Sequence, residues 1–239
     1  MKLIVTKNYA ALSQEAALQI AIAVEAKPSA AIVVATGNTP VGAYEQLAAL
    51  KAIGQFDPAK LTIFQLDEYL GLAADDKRTL WGWMERAFLT PLGLSPQKVV
   101  RLNTDTADAE ATCRAYDSAV QAAGGFDLCI LGLGPNGHLA FNEPPVEATS
   151  DTRVVTLTEE SIESNSLYWG GRDQVPPQAM TAGLRPLLAA KLVILLVSGA
   201  KKRDILRRVM SGPVTGAVPA SFLQLHANVI VIADKDAVA

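Results

Sequence analysis

FDLCILGLGPNGHLAFNEP, residues 126–144, is the stretch around which the chain is organised. Its apolar run over residues 128–131 has the length and composition of a short buried strand. Gly132, Gly134 and Gly137 then allow tight turns and close approach of a ligand to the backbone. Asn136, His138, Asn142 and Glu143 follow within eight residues. His138 is one of only two histidines, and imidazole both gives and takes a proton near neutrality. Glu143, five residues on, can set the tautomer of that ring and stabilise its charged form. A buried strand ending in glycines and a histidine reads as a site and not as a capped surface turn.

The same glycines match G-x-G-x-x-G, the dinucleotide-binding pattern. That pattern needs a helix opening at its third glycine and an acidic residue about 20 positions on. Here Asn142-Glu143-Pro144-Pro145 blocks helix continuation, and Asp151 precedes the next strand-like run instead of ending it. The nicotinamide reading is set aside.

Upstream, strands are expected over residues 3–6, 30–35 and 61–66, with a helix over 13–26 that Ser13 caps. The second expected strand ends in TGNTP, residues 36–40. Thr39 is placed to cap a helix whose first position is Pro40, where proline is best tolerated. A strand, a glycine turn and a helix N-terminus aim backbone N–H groups at one spot, which suits phosphate. The third expected strand ends in Asp67-Glu68-Tyr69. Ligands of open α/β sheets bind beyond the carboxyl ends of strands, so either carboxylate stands where a catalytic base belongs. Residues 72–78 read as an exposed loop, and residues 79–88, with Trp81, Trp83, Met84 and Phe88, as helix core or a lid.

Downstream, residues 107–123 read as a helix ended by Gly124-Gly125, residues 153–157 as β-rich and 159–168 as helical. Buried strands are expected over 192–197 and 229–233. Lys201 follows the first of these directly after a glycine turn, in reach of an anion held by the TGNTP loop. His226 has no partner in sequence and is read as structural. Strand and helix alternate with no linker or repeat. The expectation is one domain over residues 1–239, a Rossmann-like doubly wound, mostly parallel sheet with helices on both faces.

Composition bounds the partners. Half of the 239 residues are hydrophobic, and formal net charge is -3 with dispersed basic residues, which leaves no footprint for nucleic acid or membrane. No run reaches the length of a membrane span, and the opening residues lack a signal-peptide core. Two cysteines, Cys113 and Cys129, and two distant histidines form no metal-ligand spacing. A cytoplasmic protein with free thiols, a small-molecule ligand and no metal is expected.

Four stretches, ATGNTP (35–40), LDEYLGL (66–72), LGLGPNGHLAFNEP (131–144) and VPASFLQLH (218–226), together resemble the amino-sugar-6-phosphate deaminases (isomerases), which act on glucosamine 6-phosphate or its galactosamine epimer. The resemblance covers nearly the whole chain. It implies conversion of an aldose to a ketose 6-phosphate with loss of ammonia and no cofactor. It implies that His138, supported by Glu143 and Asn136, opens the sugar ring, and that Asp67 carries a proton from C2 to C1. Thr36, Gly37, Asn38, Thr39, Gly132 and Gly134 line the ligand in that reading, with Lys201 supplying charge to the phosphate. Ile162 stands where the glucosamine branch carries a phosphate-binding arginine, and the short C-terminus implies no activation by N-acetyl sugar phosphates. A related family, 6-phosphogluconolactonase, usually follows its histidine with Ser-Leu-Phe and has arginine where this chain has Tyr69. A sugar-phosphate-sensing regulator of the same fold would be expected to carry a DNA-binding segment, and none is apparent.

Overall fold

The computed structural model describes residues 1–73 and 75–238, so Ala74, within the loop expected over 72–78, lies outside the described residues. The main sheet is built from β1 (Lys2–Thr6), β2 (Ala31–Val34), β3 (Thr62–Gln65), β5 (Val99–Val100), β6 (Leu128–Gly132), β9 (Leu192–Val197) and β10 (Val229–Asp234). Their order is β1-β10-β9-β6-β2-β3-β5, and every pair in the sheet is parallel. The doubly wound, parallel reading is borne out.

Parallel strands buried on both faces must be apolar on both, and alternate residues divide between two cores. Ile32, Val34, Ile63, Ile130, Ile194 and Ile232 pack on one side. There α1 (Tyr9–Ala26), α2 (Val41–Ala52) and α3 (Leu80–Met84) cover them. Val33, Phe64, Cys129, Leu131 and Leu195 face the other side, under α4 (Ala109–Ala122), α6 (Leu184–Leu188) and α7 (Arg203–Ser211). On that side Phe64 meets Tyr116 and Phe126 edge-on at 5.7 and 5.2 Å, the geometry that ring quadrupoles favour.

The chain runs outward from β2 to β3 and β5, then returns to lay β6 on the opposite side of β2. The loops leaving β2 and β6 therefore part at the point where strand order reverses, which is where such sheets hold ligands. The TGNTP loop and the GLGPNGH loop are those two loops.

Several expected boundaries are corrected. Asn8, not Ser13, caps α1, its side chain accepting from Ala11 N at 3.0 Å. Ser13 is buried one turn further in and donates to Tyr9 O. Thr39 makes no cap on α2, which starts after Pro40 with no side-chain cap of its own. The Tyr9 hydroxyl does that work from α1, accepting from Gly42 N at 3.0 Å and donating to Asn38 O at 3.1 Å. The strand expected over 61–66 stops at Gln65. Asp67 begins β4 (Asp67–Tyr69), which pairs antiparallel with β8 (Gln178–Thr181), itself antiparallel to β7 (Arg153–Thr156). That three-stranded sheet was not foreseen. It fixes the backbone of Asp67 in a second plane, at the rim of the cleft.

Candidate active site

A cleft of about 540 Å³ opens over the carboxyl ends of β2 and β6. Thr36, Gly37, Asn38 and Thr39 line one side, Gly132, Gly134 and His138 another, and Asp67 a third. The imidazole and the carboxyl that the sequence singled out thus share one space. Asn136 and Glu143 stand behind His138 and do not line the cleft, and each is tied to it by hydrogen bonds.

His138 is held from behind. Its Nδ1 lies 3.2 Å from Glu143 Oε2, and the same oxygen accepts from Asn136 Nδ2 at 2.8 Å and from Thr158 Oγ1 at 3.1 Å. Asn136 Oδ1 accepts from His138 N at 3.1 Å, which closes the brace. An anionic Glu143 selects the tautomer that carries hydrogen on Nδ1, leaving Nε2 for the cleft. Burial works against that charge, but the hydrogen bond and charge of His138 outweigh it, with Ser161 and Asn136 adding to them, and the carboxyl falls to about 2. Glu143 Oε1 is buried with no protein partner. Gly134 is required here because a Cβ on it would collide with the His138 ring.

Asp67 contrasts with its neighbour. It is 5% exposed, and its one side-chain partner is a long hydrogen bond from Thr36 Oγ1 at 3.4 Å. Burial, reinforced by the charge of Glu68, pushes its carboxyl up to about 7. Glu68 turns the other way and accepts from Leu80 N and Tyr69 N on Oε1, and from Trp81 N and Gln65 Nε2 on Oε2. It closes the N-terminus of α3, where a carboxylate is favoured. Of the two carboxylates the sequence left open, Asp67 lines the cleft. Asn142 likewise faces away, its amide donating to Leu139 O and Ala182 O while Arg153 donates to its oxygen.

The lysine on the cleft is Lys202 and not the expected Lys201. Lys201 is exposed and off the cleft, whereas Lys202 lines it, and burial lowers the ammonium below its ordinary value. Both lysines lie in a 3-10 turn over Ala200–Lys202, where successive side chains point about 120° apart. Asp234 anchors that turn by accepting from Gly199 N at 3.0 Å and from Ser198 Oγ at 2.5 Å. Ile162 packs with Tyr69, Phe141 and Trp169 and does not face the cleft.

Other lining residues were missed in sequence: Ser161 and Asn165 on α5 (Glu159–Trp169), and Lys77, Arg78 and Arg86, while Trp83, from the segment read as helix core or a lid, lines the cleft as well. The four-residue spacing of Ser161 and Asn165 on a helix was the available signal. His226 is structural, its Nε2 2.7 Å from Ala190 O and its Nδ1 accepting from Asn228 N. Among the described residues no group of three His, Cys, Asp or Glu is placed to hold a metal, and no helix is long and apolar enough to cross a membrane.

A doubly wound sheet with an anion-receiving loop, a lysine and two separate proton-handling groups at its switch point defines a class: α/β proteins that act on small phosphorylated substrates by proton transfer. The chain belongs to the family described as Glucosamine-6-phosphate isomerases/6-phosphogluconolactonase, which matches residues 6–232. It is 38% identical to a glucosamine-6-phosphate deaminase of Halothermothrix orenii, covering 99% of this chain and 98% of that one. A Clostridium perfringens protein of the same name is also 38% identical over 99% of this chain and 98% of its own. Among solved structures, a monomeric glucosamine-6-phosphate deaminase superposes with a TM-score of 0.96 at 37% identity, over 99% of this chain and 98% of that one. The 6-phosphogluconolactonase of Trypanosoma cruzi shares the fold at a TM-score of 0.79, with 23% identity over 99% of this chain and 95% of its own.

Proposed function

We propose that this chain converts glucosamine 6-phosphate and water into fructose 6-phosphate and ammonia, without a cofactor. The observation that carries the reading is the pairing, across one cleft, of a carboxyl poised at about 7 with a braced imidazole. Relatives named for this activity at 38% identity over 99% of the chain support it.

The reaction needs two proton transfers of different kinds. Ring opening moves the proton of the C1 hydroxyl and returns one to the ring oxygen. His138 Nε2 is the group for that step, and Glu143 stabilises the imidazolium that forms. Isomerisation then takes the C2 proton and places it on C1. Asp67 is suited to this as an acid and base of nearly equal strength at neutral pH, held in a dry site where its charge is not masked. The C2 proton goes to the Asp67 carboxylate as an enolamine forms. Its return to C1 gives a ketimine at C2, to which water adds, and the C2–N bond breaks with ammonia leaving. The phosphate, held at Thr36, Gly37, Asn38 and Thr39 with Lys202, fixes C1 and C2 over Asp67. Buried free thiols at Cys113 and Cys129 support the cytoplasm as its compartment.

The test is ammonia release from glucosamine 6-phosphate and galactosamine 6-phosphate, run beside hydrolysis of 6-phosphogluconolactone. Turnover of the first substrate supports the proposal. Preference for the galactosamine epimer corrects the substrate, and rapid lactone hydrolysis without ammonia overturns the reaction.

A further inference from the structure

We propose that Arg86 is the second cation on the substrate phosphate, joining Lys202 on the lining of the same cleft. The inference rests on the proposed sugar-phosphate substrate. A phosphate dianion on the loop before α2 gains from backbone N–H groups, but one partly buried lysine leaves much of its charge unmatched. The face of α5 toward the cleft offers Ser161, Ser164 and Asn165 and no cation, because Ile162 is turned into an apolar cluster. A second positive charge must come from elsewhere on the lining, where Lys77, Arg78 and Arg86 stand.

Arg78 is already engaged. Its Nη2 donates to Asp76 Oδ2 at 2.7 Å, its Nε donates to the same carboxylate, and its guanidinium lies 5.0 Å from the Trp169 ring centre. Arg86 makes no ion pair among the described residues. Its side chain folds back along α3, so that a Cβ on Gly82 would come within 3.2 Å of Arg86 Nη1, tighter than an ordinary contact.

The segment that carries Arg86 is also seated on the helix whose N-terminus receives the anion. Tyr44 of α2 packs edge-on against Trp83 at 6.2 Å and Phe88 at 4.8 Å, on either side of Arg86 in sequence. After α3 the backbone widens into a π turn over Glu85–Leu89, a local change that is common at functional sites. Lys77 lies on the loop before α3 and lacks this seating. The guanidinium adds what an ammonium lacks, a planar fork that matches two phosphate oxygens at once.

The test compares the unmodified protein with Arg86→Ala and Arg86→Lys, reading steady-state kinetics with glucosamine 6-phosphate and competitive inhibition by inorganic phosphate. For Arg86→Ala the expectation is a tenfold or greater rise in both KM and the phosphate inhibition constant, with kcat falling less. Arg86→Lys restores part of both. A rise in KM with an unchanged phosphate constant overturns the proposal, as does no change in either. Should the unmodified protein release no ammonia, the proposed reaction fails on its own. Calorimetric binding of inorganic phosphate then still reads Arg86, with a tenfold loss in Arg86→Ala supporting the contact and equal affinity refuting it.

Discussion

Asp67 and Glu68 are adjacent carboxylates with opposite surroundings. Glu68 receives four hydrogen bonds, while Asp67 receives one at 3.4 Å and faces the cleft. Burial raises the Glu68 carboxyl above its ordinary value while its four donors oppose that rise, and its charge when ionised adds to the burial that keeps Asp67 protonated until about neutrality.

The first consequence concerns pH. If Asp67 acts as the base toward C2, kcat/KM rises as that carboxyl ionises, with a midpoint near 7 in the free protein. Glu68→Gln removes the neighbouring charge and moves the midpoint to lower pH. A kcat/KM profile from pH 5 to 9 for both proteins checks this, and an unshifted acid limb contradicts it.

Stability carries the same signature with a definite sign. The native Asp67 carboxyl, at about 7, lies above its unfolded value near 3.8, so the folded state binds more protons between those limits. That contribution is complete below pH 3.8 and is lost as pH rises through 7, up to about 4 kcal/mol in all. Asp67→Asn, which stays neutral, is therefore more stable than the unmodified protein at pH 8 and similar to it at pH 4. Urea unfolding at the two pH values reads the difference.

Glu143 gives the opposite linkage. Its folded value of about 2 lies below the ordinary 4.5, so its stabilisation is present above 4.5 and is lost as pH falls toward 2. Glu143→Gln removes that acid sensitivity. It also leaves His138 without the anion that fixes its tautomer, and kcat is expected to drop by about a hundredfold. Gly134→Ala displaces the same ring by collision, with a comparable loss of kcat and an intact fold by circular dichroism.

The two lysines separate cleanly. Lys202→Ala raises KM for the sugar phosphate by about tenfold or more, as expected when a charge-assisted phosphate contact is removed. Lys201→Ala stays within about twofold, because that side chain points to solvent. Equal effects from the two substitutions contradict the geometry.

The core sets a further expectation. Phe64 is fully buried between Tyr116 and Phe126, and Phe64→Ala costs about 3–5 kcal/mol by denaturant titration.

The main sheet was legible because its strands are continuous apolar runs, such as AIVV in β2 and LVILLV in β9, bounded by glycine or proline. The site loops were legible because glycines at the ends of such runs must serve turns or ligands. What lay hidden depended on partners distant in sequence. The strand DEY has no alternating pattern of its own and exists because Thr181, Met180 and Ala179 pair with it. Thr39 matched a cap pattern, but the Tyr9 hydroxyl from another helix took the N–H of Gly42. Lys202 lines the cleft and Lys201 does not, a choice between adjacent residues that depends on how the turn after Gly199 is anchored through Asp234. Arg86 carried no signal of its own, because its place on the cleft depends on Trp83 and Phe88 packing against Tyr44 of a helix distant in sequence.

The central claim is that one carboxyl, Asp67, moves a proton between adjacent carbons of an amino-sugar phosphate. The most direct measurement is NMR of the sugar phosphate formed from glucosamine 6-phosphate in deuterium oxide, for the unmodified protein and Asp67→Asn. The account predicts fructose 6-phosphate with ammonia in equal amount, hydrogen from C2 retained at one C1 position, and any deuterium, from exchange of the proton on Asp67, confined to that same position. It also predicts a fall in rate of several orders of magnitude for Asp67→Asn, with the substrate still bound. Deuterium scattered over both C1 positions, or Asp67→Asn turning over at the unmodified rate, contradicts it.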